Sequence, residues 1–231
     1  MNIQTLHLIQ GAGQAQGLTV IIDVFRAFSL ECYLYDMGAA AILPVGDLDV
    51  ARRLKAEHPD YVLIGERGGK KCEGFDFGNS PSTVDPARIA GKTIVHTTSA
   101  GTQGVQNAVR AQKILTGSLV NARAVARYIL AENPAQVSLV CMGNSGVRPA
   151  KEDELCAAYL ESLLTGKPMQ DIRARAQALR LDGGAHFFDP ALQDVFPQAD
   201  FDCCTQVDRF DFVIEIDTRG PVLSAVKRRV S

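Results

Sequence analysis

Short apolar runs of strand length recur along this chain, and nearly every one leads into a stretch with the composition of a helix. LTVIIDVF (residues 18–25) is rich in Val and Ile and feeds RAFSLECYLYDMGA, which Gly38 closes. AAILPV precedes DLDVARRLKAEH, whose Leu48, Val50 and Leu54 share an apolar side, and YVLIG forms a third run. KTIVHTT passes through SAGT into GVQNAVRA; AQKILTG precedes NARAVARYILAEN, with Val125, Tyr128 and Ile129 facing in; VSLVCMG precedes KEDELCAAYLESLLTG. Buried strands read as continuous apolar runs, and parallel strands need crossover helices. The alternation therefore predicts an α/β fold, a three-layer α/β/α arrangement with a mostly parallel mixed sheet. RFDFVIEID differs: Phe210, Phe212, Ile214 and Ile216 alternate with Asp211, Glu215 and Asp217. That pattern predicts a half-exposed, antiparallel C-terminal edge strand, an edge that a homo-oligomeric partner could cover. No linker or low-complexity run divides residues 1–231, which predicts one domain.

Size and charge narrow the function. A chain of 231 residues with 46% apolar content can bury roughly 70–75% of its unfolded surface. A net charge of -2 provides no broad basic field for nucleic acid or anionic membrane. The N-terminal MNIQTLHLIQGAGQ lacks a signal-peptide pattern and no segment is apolar enough to span a bilayer, so a cytoplasmic location is expected. Cysteines at 32, 72, 141, 156, 203 and 204 have no zinc-site or disulfide spacing and read as reduced, mostly core thiols.

In open α/β sheets, chemistry gathers beyond the carboxyl ends of the strands. Those ends carry Asp23, Glu66 and the pair Glu152 and Asp153. Each has an equally good structural explanation, Asp23 as a helix cap and the pair as a complement to a helix dipole. Together they suit a hard cation such as Mg²⁺, which takes oxygen ligands and keeps waters that phosphate can replace. The run HTTSAGTQG offers hydroxyls and helix-opening amides to an anion, as Thr97, Thr98, Ser99, Gly101 and Thr102, although a plain N-cap cluster has the same composition. Arg26, Arg67 and Arg148 in neighbouring loops could grip phosphate bidentately or form surface ion pairs. His96 reads as a packed, hydrogen-bonded imidazole, and His186 as an exposed loop residue with a weaker case as proton donor.

Two motifs mislead. GAGQAQG (residues 11–17) precedes a strand and has the wrong glycine spacing for a dinucleotide fingerprint, so it reads as a turn. CMGNSGVR places Cys141 and Arg148 as in a cysteine-dependent phosphatase loop, but with six intervening residues where that loop uses five. Cys141 reads better as a buried strand residue.

IIDVFRAFS, GERGG, GFDFGNSP, HTTSAGT, KEDELCA and CCTQVDRFDFV, in this order over nearly the whole chain, resemble the 2-phosphosulfolactate phosphatase family. The resemblance implies an α/β, Mg²⁺-dependent phosphatase converting (R)-2-phospho-3-sulfolactate to 3-sulfolactate and phosphate, a step toward coenzyme M in methanogens. By position it points to Asp23, Arg26, Glu66, Asn79, Ser80, Thr97, Thr98 and Asp153. The expected assignment is Asp23, Glu66 and Asp153 around Mg²⁺, Arg26 at the phosphoryl oxygens, and Ser29, Arg67, Ser99, Gly101 and Thr102 with the others around the substrate. Two departures bear on substrate: Ala27-Phe28-Ser29-Leu30 replaces a hydroxyl-rich run, and Thr97 to Thr102 is one residue longer than the family's loop and lacks its Asn. A phosphometabolite- or nucleotide-binding protein without chemistry is the alternative.

Overall fold

The strand and helix alternation is borne out in the computed structural model, which describes residues 1–167 and 169–230. The strands are β1 (Asn2–His7), β2 (Gly17–Ile22), β3 (Ala41–Pro44), β4 (Val62–Arg67), β5 (Lys70–Lys71), β6 (Thr93–Thr97), β7 (Ala111–Gly117), β8 (Gln136–Cys141), β9 (Phe212–Asp217) and β10 (Ser224–Arg229). The helices are α1 (Leu8–Gln14), α2 (Ala27–Asp36), α3 (Leu48–Glu57), α4 (Gly101–Asn107), α5 (Ala122–Glu132), α6 (Lys151–Leu164), α7 (Ile172–Ala178) and α8 (Gln198–Cys204). The strands form one sheet in the order β1-β8-β2-β7-β9-β10-β3-β6-β4-β5.

Side chains alternate across this sheet into separate cores. Ile21, Ile64, Ile94 and Ile214 face a core shared with α1, α2 and α4. Val20, Ile22, Leu115 and Leu139 point the other way, against α5, α6 and α8, while Leu63 and Val95 pack on α3. Helices thus cover both faces, as the three-layer class requires.

The C-terminal strand runs antiparallel as expected, but it is internal. β9 pairs with β7 on one side and β10 on the other, and β10 continues to β3. Its polar face is partly covered: Tyr128 of α5 donates to Glu215 at 2.9 Å, while Asp211, just before the strand, stays exposed and pairs with Arg127. The alternation was real, and its charges keep some solvent while finding partners, but β9, paired on both sides, offers no free edge to a second copy. GAGQ likewise proves to be helical, the end of α1, rather than a turn.

The β9–β10 hairpin joins two parallel blocks, β1-β8-β2-β7 and β3-β6-β4. Three successive antiparallel pairings make the blocks run in opposite formal senses. Strand-to-strand twist of roughly 20–25° accumulates over the five steps from β2 to β6, and the carboxyl ends of both blocks meet. A Cβ on Gly101, just after β6, would lie 2.8 Å from Asp23 Oδ2, just after β2.

Candidate active site

Where the blocks meet lies a cleft of about 570 Å³, lined by Asp23, Arg26, Glu66, Asn79, Ser99, Glu152 and Asp153 among others. Asp23 leaves β2 and accepts the Ala27 N–H of α2 on Oδ1 at 3.2 Å. Its capping role and its place in the cleft therefore coexist. Glu66, at the end of β4, accepts Ser99 N–H on Oε1 at 2.6 Å and Gly69 N–H on Oε2 at 2.6 Å. The turn that returns Gly69 to it uses left-handed backbone at Gly68 and Gly69 (φ 59° and 83°), which explains the paired glycines. Asp153, in the first turn of α6, accepts Val24 N–H at 2.9 Å and Gly143 N–H at 2.7 Å, tying the loops after β2 and β8 together. Glu152 is 8% exposed and makes no side-chain hydrogen bond or ion pair among the described residues.

These carboxylates crowd one another. Burial, reinforced by Glu66, pushes Asp23 up to about 6 from its ordinary value. Burial and Asp23 push Glu152 up to about 7. Asp153 is held well above the carboxylate range by burial, Asp23 and Glu152. Such perturbation in a cleft marks functional sites. Among the described residues, however, no three of these carboxylates bring oxygens within 4.8 Å of one another, so Asp23, Glu66 and Asp153 do not form a closed cage. Mg²⁺ does not require one, since it is commonly held by one or two carboxylates with waters.

Arg26 reaches the cleft but is spoken for. One guanidinium nitrogen donates to Asp200 Oδ2 at 2.7 Å and Val195 O at 2.8 Å, the other to Gly69 O at 3.2 Å, and the Phe196 ring stacks 4.8 Å away. Asp200 also accepts from Ser80 Oγ (2.9 Å), Ser82 N–H (3.0 Å) and Ser82 Oγ (2.6 Å). This anchors the GFDFGNSP segment, so Ser80 serves Asp200 rather than facing the cleft.

Several other expected contacts are engaged elsewhere. Ser29 Oγ bonds Val24 O and Ser118 Oγ in the interior. Arg67 holds Gly46 O and Thr97 Oγ1. Thr98 and Thr102 cap each other, each hydroxyl taking the other's backbone N–H. Gly101 contributes space, because any side chain would strike Asp23, Ala27 and Phe28. Asn79 lines the cleft with its Oδ1 3.2 Å from His96 Nε2, and His96 Nδ1 meets Glu31 at 2.9 Å, the packed imidazole expected. His186 is half-buried at the cleft wall between Phe187 and Phe196. Burial and Arg26 lower its pKa, which keeps it neutral at pH 7. Cys141 is 1% exposed; burial, with Asp153 nearby, pushes its thiol up, the opposite of what a thiolate nucleophile needs.

Asp200 and Glu152 are the residues that the sequence underplayed. Nothing in QADFDCC marks Asp200, and Glu152 is told from Asp153 only by which of them the backbone amides occupy.

The 2-phosphosulpholactate phosphatase family profile matches residues 3–219. A Caldicellulosiruptor saccharolyticus protein named probable 2-phosphosulfolactate phosphatase is 42% identical over 148 residues, covering 62% of this chain and 61% of that protein. Proteins with the same name from Prochlorococcus marinus (strain MIT 9303) and Bacillus subtilis (strain 168) are 32% and 29% identical; they cover 92% and 89% of this chain and 94% and 89% of their own.

Proposed function

The chain belongs to the 2-phosphosulpholactate phosphatase family, and from that premise we propose that it hydrolyses a small phosphate monoester, (R)-2-phospho-3-sulfolactate, to 3-sulfolactate and phosphate with Mg²⁺ as cofactor. The observation that carries the metal is the cleft itself: buried carboxylates face one another and no cation among the described residues neutralises them. All their donor atoms are oxygens, which fits a hard ion. Asp23 and Glu152 would hold it, because Glu66 and Asp153 already accept backbone N–H groups on both oxygens. When bound, Mg²⁺ offsets the repulsion between carboxylates and phosphate and polarises the phosphoryl oxygens.

The chain's own residues do the rest. Glu66 and Asp153 fix the loops that shape the cleft. Arg26, fixed by Asp200, presents positive charge to the phosphoryl group. A carboxylate of the cleft accepts a proton as water attacks phosphorus, the P–O ester bond breaks, and the proton passes to the departing alkoxide. The replacement of hydroxyls around Ser29 does not weaken this reading, since Phe28 lies in the core and does not line the cleft. Ser99 and Ala100 do line it, so substrate selectivity is tested there.

The test is phosphate release from phosphosulfolactate and phospholactate with Mg²⁺ or excess EDTA. Metal-dependent release that favours the sulfonate supports the proposal. Release indifferent to EDTA contradicts the metal, and saturable Mg²⁺-dependent binding without release would make this a phosphometabolite-binding protein.

A further inference from the structure

Outside the cleft, a second cluster combines three different metal-ligating side chains. His7 ends β1 and Cys141 ends β8, and they are register partners in the parallel ladder. Glu154, in the first turn of α6, brings its Oε1 to 2.9 Å from His7 Nε2. One ligand atom from each of the three lies within 4.8 Å of the other two.

We propose that His7, Cys141 and Glu154 bind a borderline-soft divalent cation of the Zn²⁺ type, independently of the carboxylate cleft.

An ion seated between atoms so spaced lies within roughly 2.8 Å of each, at most about 0.5–0.8 Å beyond ordinary Zn–S, Zn–N and Zn–O distances. Rotation of His7 and Glu154, whose side chains are 44% and 40% exposed, closes that gap. An exposed His–Glu pair alone is a surface contact of little energetic worth. Cys141 changes its character, because a thiol with no hydrogen bond among the described residues faces the pair from the protein side.

The donor set also separates the two sites. Nitrogen, sulfur and oxygen together select Zn²⁺ over Mg²⁺, whereas the cleft offers oxygen alone. Three protein ligands with an outer side open to solvent leave a fourth position for water. Binding releases the thiol proton to solvent. It also joins the ends of β1 and β8 to α6, one residue beyond Asp153, so the ion would stiffen the helix start that borders the cleft.

The test is titration of the full chain with Co²⁺ and Zn²⁺ in excess Mg²⁺, followed by thiolate-to-cobalt charge-transfer absorption and by calorimetry. One ion per chain is expected, with a charge-transfer band that Mg²⁺ does not suppress. His7→Ala, at an exposed position, should weaken binding by at least about tenfold with Mg²⁺-dependent phosphate release unchanged. Cys141→Ser should remove the band. Absence of the band, its persistence in Cys141→Ser, or full affinity in His7→Ala would overturn the proposal; because the readout is binding, none of these outcomes bears on the phosphatase reading.

Discussion

Asp153 and Asp200 are buried to nearly the same degree, 2% and 0% exposed, yet they sit in opposite electrostatic settings. Asp200 receives a guanidinium, two hydroxyls and an amide. Asp153 receives two amides and has Asp23 and Glu152 as charged neighbours, both of which push its proton affinity up. Burial alone therefore does not distinguish a structural carboxylate from a functional one; the presence or lack of a countercharge does. The Asp200 region is a finished joint between Arg26, residues 80–82 and α8, while the Asp153 region carries carboxylates whose mutual repulsion protons would relieve.

Breaking each side should give opposite signs. The largest effect is expected from Asp23→Asn, which removes charge from the crowded side. Phosphate release should fall by about 10³-fold or more, beyond the 10²–10³ cost of losing one transition-state donor. The metal-free protein should nevertheless unfold at equal or higher denaturant concentration. Asp200→Ala leaves Arg26 buried without its partner and should destabilise by about 3–5 kcal/mol in chemical denaturation. A loss of stability in Asp23→Asn as large as that in Asp200→Ala would erase the distinction.

Smaller effects sharpen the boundary of the site. Glu152→Gln should weaken Mg²⁺ binding in calorimetry with little change in fold, whereas Asp153→Asn, which disturbs the acceptors of Val24 and Gly143, should lose both binding and stability. Ser29→Ala should cost about 1 kcal/mol for its buried hydrogen bonds and leave kcat/KM unchanged. A rise in KM there would return Ser29 to the substrate.

Much of this frame is legible in the sequence because it is periodic. β2, β4, β8, α5 and α6 follow from apolar runs and helical spacing, and the carboxylates at the strand ends follow from where those runs stop. The chain ends resist reading. β1 is a partly exposed edge strand spelled NIQTLH, and β10 carries Lys227, Arg228 and Arg229, so neither presents an apolar run. The sense of the two parallel blocks is equally hidden, because it depends on the β9–β10 hairpin inserting between them. So is Asp200, whose partner Arg26 lies 174 residues away; no local pattern encodes a pairing at that distance. The hydroxyls of residues 97–102 mislead for a related reason: capping and phosphate binding use the same residue types, and the backbone takes most of these for itself.

The most direct test of the cleft as a cation site is thermal stability against pH, with and without saturating Mg²⁺. Buried carboxylates whose pKa values are raised in the folded chain bind more protons there than when unfolded, so stability falls as pH rises. The penalty grows from the ordinary values of 3.8 for Asp23 and 4.5 for Glu152 through about 6 and about 7, and is complete above. For Asp23 alone it is about 3 kcal/mol. The metal-free protein should lose stability between about pH 4 and pH 7, and Mg²⁺ should restore it increasingly toward the alkaline end. Metal-free stability that rises through that window, or melting curves that coincide with and without Mg²⁺ at alkaline pH, would contradict a cation site in the cleft.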